Sequence, residues 1–183
     1  MATTSAQVVT AEEFLSLPEE RGAYSYELRH GEIVKMTRPK FKHALLQRRL
    51  RILLEQMAPE GSYVDVEVAF RPLAEYELWS ADVAYLAAAR FAAVDTEGNI
   101  AGAPDLVVEV LSASNTVEEM NERERICLDN GAQQFWTVDG KRREVKVSTP
   151  DGHTVSYRAG DAIEIFFAPG TTIAIDAIFD SKL

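Results

Sequence analysis

Apolar positions recur along this chain with two periods, one of about 3.6 residues and one of 2, which mark helices and strands respectively. "TAEE" (Thr10 to Glu13) is a capping box, so a short helix is predicted to start there and to end near Pro18. "YSYELRHGEIVKM" (24–36) reads as a hairpin turning at His30-Gly31, and "RPK" (38–40) as a break. A longer helix follows from about Lys42 to Met57. Its apolar stripe is Leu46, Leu50, Leu53 and Met57, opened by His43 and widened by Leu45 and Leu54. Arg48 and Arg51 fall off the stripe, in water.

In "YVDVEVAFRPL" (63–73) strict alternation puts Val64, Val66, Val68 and Phe70 on one face, with Asp65 and Glu67 on the other. "ADVAYLAA" (81–88) and "GAPDLVVEVLSASN" (102–115) supply two more strands. "SNTVEEMNERERICLDNG" is a second long helix, with a capping box at Thr116 and Glu119 and Gly131 at its end. "AQQFWTVD" (132–139) is a further strand. "REVKVSTPDGHTVSYR" (143–158) is a hairpin turning at Pro150-Asp151-Gly152. "AIEIFF" and "TTIAIDAIF" close the chain as short strands, or a strand and a turn. The sum is an α/β domain: a mixed sheet flanked by helices, with antiparallel hairpins at both ends. Residues 1–9 are expected to be a flexible tail and 10–183 a single domain, as the 183-residue length allows.

Charge narrows the partners. The net charge of −10 argues against a broad, non-specific nucleic-acid binder, although a local basic groove or a bound cation would still admit a polyanion. The single cysteine, Cys127, rules out an intrachain disulfide and suits a reducing compartment. It falls on a helical pattern as a small core residue. No basic, apolar leader opens the sequence, and no apolar run approaches the roughly 20 residues of a membrane span. A soluble, cytoplasmic protein is the expectation, with no membrane partner.

The chemistry is concentrated in carboxylates. Glu109 interrupts the apolar run Leu106 to Leu111, on the same strand face as Asp105 and Val107. A lone buried carboxylate costs several kcal/mol unless it reaches solvent, a cation or a metal. Asp82 begins another apolar strand and raises the same question. If the two strands are neighbours, their acids converge, repel each other and favour a cation. Hard oxygen donors suit Mg²⁺ or Mn²⁺. The alternative is that both acids are solvated strand ends. On the following helix, Met120, Arg123 and Cys127 stand at i, i+3 and i+7. That places Arg123 at the flank of the apolar face, with Glu109 as an acceptor or its head in water. His43 overlooks the same sheet from its helix. Glu27 and Glu32 flank the first hairpin turn, where either supplies a third acid or merely solvates an edge. His30 and His153 fall at turns. Trp136 is read as core. No phosphate loop, nucleophile elbow or paired zinc motif is present.

Five segments occur in one order: "TAEEFLSLPE", "YELRHGEIVKM" followed by His43, "ADVAYL", "GAPDLVVEVLSASNT" and "NGAQQFWTVD". Together they resemble the Uma2 family of restriction-endonuclease-like proteins, within the PD-(D/E)XK nuclease superfamily, from Thr10 to Phe179. The resemblance implies a restriction-endonuclease-like core and a Mg²⁺ or Mn²⁺ cofactor held by Asp82 and Glu109. It also implies DNA as partner and a homodimer. The superfamily lysine two residues after the glutamate is here Leu111. In this family a lysine on the next helix, with a tyrosine four residues later, takes its place; here those positions are Arg123 and Cys127. Arginine keeps the charge but is a poor base.

Three readings follow. The favoured one is a metal-dependent endonuclease with Asp82 and Glu109 at its centre, Arg123 orienting Glu109, and His43 and Glu32 in support. The second is a catalytically retired domain that binds nucleic acid or protein. The third is a structural module whose acids are only solvated strand ends.

Overall fold

The computed structural model describes residues 8–18, 24–37, 40–95 and 97–180. The expected tail therefore lies largely outside the described residues, as do Arg38 and Pro39 of the break. Val9 is already tied down, its amide donating to the Gly31 carbonyl at 2.9 Å.

Helix α1 (Ala11–Leu15) starts on the Thr10–Glu13 capping box. Strands β1 (Tyr24–Arg29) and β2 (Glu32–Thr37) form the first hairpin, in which Arg29 pairs with Glu32. His30 and Gly31 both have positive φ, 50° and 74°, which gives the two-residue turn that matches strand twist. The next helix, α2 (Phe41–Glu55), precedes β3 (Tyr63–Arg71), β4 (Trp79–Leu86), the short α3 (Ala88–Phe91), β5 (Ile100–Ala101) and β6 (Leu106–Val110). Helix α4 (Val117–Asp129) follows, with the expected Thr116–Glu119 capping box. Then come β7 (Gln134–Asp139), β8 (Glu144–Ser148), β9 (Thr154–Tyr157), β10 (Ala162–Glu164), β11 (Thr172–Ala174) and α5 (Ile175–Phe179). The last of these is a helix where strand or turn was expected.

Among the described residues, seven strands form one mixed sheet in the order β5-β3-β4-β6-β7-β8-β9. β6 and β7 are parallel, with α4 in the connection between them, while β4 runs antiparallel to both β3 and β6. Helix α2 packs on one face: Leu46, Leu50 and Leu54 meet Val83, Val108, Trp136 and the isoleucines of β10, β11 and α5. Leu50 and Leu54 are fully buried, each stabilising the fold by about 2 kcal/mol. On the other face, Met120, Ile126 and Cys127 of α4 meet Val107, Phe135, Phe70 and Trp79. Arg51, expected in water, is half-buried and paired with Glu55 and Asp65.

The alternation read in β3 is overturned. Val64 and Val66 face the α2 layer, but Val68 and Phe70 face the α4 layer. The strand changes face at Glu67, whose φ is +53°. A period-2 pattern assumes extended backbone throughout, and one left-handed residue reverses its phase. The partner strand does the same: Trp79 and Ala81 face α4, whereas Val83 and Tyr85 face α2.

Candidate active site

The phase reversal marks the site. Paired residues run Val66 with Val83 and then Val68 with Ala81, so Glu67 and Asp82 stand opposite each other where the ladder is interrupted. On the other side of β4, pairing with β6 stops at Val83 and Val108. Beyond that point the Asp82 carboxylate enters the gap, and its Oδ2 accepts the Val110 amide at 2.6 Å. The side chain thus satisfies an amide that would otherwise need a ladder partner.

Helix α2 supplies the other contacts to Asp82. His43 Nε2 lies 3.0 Å from Asp82 Oδ1, and Gln47 Nε2 donates to the same oxygen at 2.8 Å. His43 and Gln47 are four residues apart and so share a helix face. Gln47 is buried and donates also to Glu67 Oε1. One amide therefore bridges two carboxylates. Burial alone would lower the His43 pKa, but the hydrogen bond and charge of Asp82, with the charge of Glu67, raise it. Burial pushes the Glu67 carboxyl up, against the Gln47 hydrogen bond and with help from Asp82.

Glu109 faces the other layer. Arg123 reaches it from α4, Nε to Oε1 at 2.8 Å, with both residues buried. The rest of the guanidinium holds Glu27 of β1, at 3.1 and 3.4 Å, and the Ser80 carbonyl at 2.5 Å. It also lies 4.9 Å from the Trp79 ring centroid. Arg123 is therefore inserted between two acids and is not a snorkelling side chain.

Two buried carboxylates share this one guanidinium, and they share it unequally. Burial raises the Glu27 pKa, but Arg123 and Arg29 together outweigh it, so Glu27 is held below the usual carboxylate range. Glu109 has Arg123 alone. Burial, with the charges of Asp82 and Glu27 added, pushes it up to about 8. Cys127 lies in the same layer, its thiol pushed up by burial.

The structure thus places the residues singled out from sequence in two clusters, Asp82 with His43 on the α2 side and Glu109 with Arg123 on the α4 side, with the charge of Asp82 felt at Glu109. Glu32 joins neither: it is exposed beside the hairpin turn, and no hydrogen bond among the described residues joins it to the site. Of the two hairpin acids, Glu27 occupies the site. Sequence reasoning passed over Gln47 and Glu67. The available signal for Gln47 was a polar residue four positions after His43, inside an apolar stripe. For Glu67 the period-2 pattern carried none.

Among the described residues, no group of three or more His, Cys, Asp or Glu side chains is placed to hold a metal ion. Two acids from adjacent strands are nevertheless what a Mg²⁺-type ion requires, because it keeps several waters and takes one or two carboxylates. Asp82 and Glu109, on the neighbouring strands β4 and β6, are of that donor chemistry. The bonds described for Asp82 engage three of the roughly four lone-pair sites of a carboxylate, and those of Glu109 engage one.

A family model, Uma2, described as "Putative restriction endonuclease", matches residues 11–176. A crystal structure from Anabaena variabilis, described as "a putative nuclease belonging to DUF820", superposes with a TM-score of 0.79. It is 23% identical and covers 93% of this chain and 97% of its own, a likeness of fold. No match was found among curated proteins. No helix among the described residues is long and apolar enough to cross a membrane.

Proposed function

We propose, from the premise that the chain belongs to the Uma2 family, that it is a metal-dependent endonuclease hydrolysing phosphodiester bonds of DNA. The observation that carries this reading is the placement of two acids, Asp82 and Glu109, on the adjacent strands β4 and β6 just where their pairing ends. Glu109 is buried, and burial with the charge of Asp82 pushes its pKa up to about 8. A cation between them relieves what one shared arginine leaves uncompensated.

Mg²⁺ or Mn²⁺ held by Asp82 and Glu109 would supply Lewis-acid stabilisation and water of lowered pKa. The chain's own residues do the positioning. The Val110 amide, His43 and Gln47 fix Asp82 from three directions. Arg123 fixes Glu109 and keeps its own proton, so it orients and neutralises but does not act as a base. His43, its pKa raised by the hydrogen bond and charge of Asp82, holds the Asp82 carboxylate from the α2 side. A homodimer acting on DNA belongs to the same reading.

One observation favours the binding-only alternative. Arg123 is fully engaged by Glu109, Glu27 and Ser80, as in a structural ion pair. Plasmid cleavage by the purified chain with Mn²⁺ separates the two readings. Cleavage that is lost in Asp82→Asn and in Glu109→Gln, with both variants folded, is the expected result. DNA binding without cleavage in the wild type moves the assignment to the retired module.

A further inference from the structure

We infer that Glu67 is a positioning residue of this site: through the Gln47 amide it sets the orientation of the Asp82 carboxylate. The inference rests on the nuclease reading for its kinetic consequence, but its geometric content stands apart from that reading.

Three independent features place Glu67 in this role. First, it is a non-glycine residue with φ of +53°, a conformation L side chains rarely adopt. Such conformations persist where the surrounding structure over-determines them, and they cluster at functional sites. Second, Glu67 lies directly opposite Asp82, where β3 and β4 both change face. Regular alternation would carry the glutamate away from the layer that contains His43. The left-handed turn instead brings its carboxylate to α2. Third, Gln47 is buried on a helix stripe otherwise made of Leu46, Leu50 and Leu54, and its amide nitrogen donates to both carboxylates. An amide nitrogen has two hydrogens. With one committed to Glu67, the amide plane is fixed and the other hydrogen is aimed at Asp82 Oδ1.

A fold-only role does not account for this arrangement. Glycine adopts the same backbone without steric cost, so the fold alone favours glycine at position 67. Two carboxylates directly opposite each other also repel. The glutamate sits where both effects oppose it, and its described contact is to the residue that holds Asp82.

Four variants test this with Mn²⁺ and plasmid DNA. Glu67→Gly is expected to keep or raise Tm while kcat falls about 10- to 100-fold, the scale of a misplaced catalytic group, with KM for DNA unchanged. Glu67→Gln retains a carbonyl acceptor for the Gln47 amide and is expected to keep kcat close to wild type. Gln47→Leu should reproduce the glycine defect, and the double variant should be no worse than either single, because both cut the same link. Crystals of Glu67→Gly should show the Asp82 carboxylate rotated away from its wild-type contacts. Wild-type kcat in Glu67→Gly, strictly additive losses, or an unmoved Asp82 in those crystals each overturns the inference. The crystallographic result decides it even if the wild type fails to cleave DNA. That failure would count against the nuclease reading alone.

Discussion

Arg123 Nε donates to Glu109 Oε1 at 2.8 Å, a buried contact that joins helix α4 to the central strand β6. The same guanidinium holds Glu27, and through it the first hairpin. Removing one partner of a buried pair leaves the other charge without compensation, at about 3–5 kcal/mol. Arg123→Ala leaves the Glu27 carboxylate short of its main counter-charge and Glu109 without its donor. Its Tm should fall by about 10 °C or more, as read by calorimetry. Arg123→Lys keeps a charge but not the fork that reaches Glu109, Glu27 and Ser80, so it should recover only part of the loss. An unchanged Tm in Arg123→Ala would remove the pair from any account of stability.

Stability of the metal-free protein should fall as pH rises across neutrality. Unfolded Glu109 releases its proton near the ordinary value of 4.5, whereas folded Glu109 keeps it to about 8. Between these values the folded state binds more protons, so rising pH favours unfolding. This contribution is fully present below about pH 4.5 and is lost as pH passes 8. Glu27 acts with the opposite sign. Its folded pKa is depressed, so its contribution is present above 4.5 and fades on acidification. Thermal melts from pH 5 to pH 9 should show the Glu109 slope in the wild type. In Glu109→Gln the slope should be smaller, leaving the part set by His43, whose folded pKa is also raised.

Divalent cations should raise the melting temperature. A ligand that binds only the folded state at a hundred times its Kd adds about 2.7 kcal/mol, or about 5–10 °C for a chain of this size. Mn²⁺ should produce such a shift in the wild type, reversed by a chelator, and little in Asp82→Asn. An equal shift in Asp82→Asn would place the ion elsewhere.

Cys127 should be silent toward thiol reagents in the folded protein. Its side chain is fully buried and its pKa is raised, so thiolate is scarce and inaccessible at neutral pH. One equivalent should react promptly in denaturant and none without it; rapid reaction of the folded protein would contradict the packing of α4.

Much of this architecture is legible in the chain. The capping boxes at Thr10 and Thr116 mark two helix starts because their chemistry is local. Glu109 and Arg123 announce each other because a charge in an apolar strand and a cation on the next helix are 14 positions apart, joined by one connection. Glu27 is harder to place. It lies 96 positions from Arg123, and its choice over Glu32 depends on how the first hairpin docks on Leu78 and Ser80. Glu67 is hidden for another reason. Its sequence neighbours alternate perfectly, and the reversal at its own φ is a tertiary event.

The long span between Glu27 and Arg123 has a kinetic consequence. On the ribosome, Glu27 emerges well before the cation that holds it, and Glu109 also leaves ahead of α4. Both acids must stay hydrated until the later helix arrives, and closing so long a loop is entropically costly. The charged cluster is therefore expected to assemble late, after the local hairpins and helices have formed. A φ-value near zero for Glu27→Gln in refolding experiments would be its signature. In a chain stalled before α4, the first hairpin would have no guanidinium to dock against.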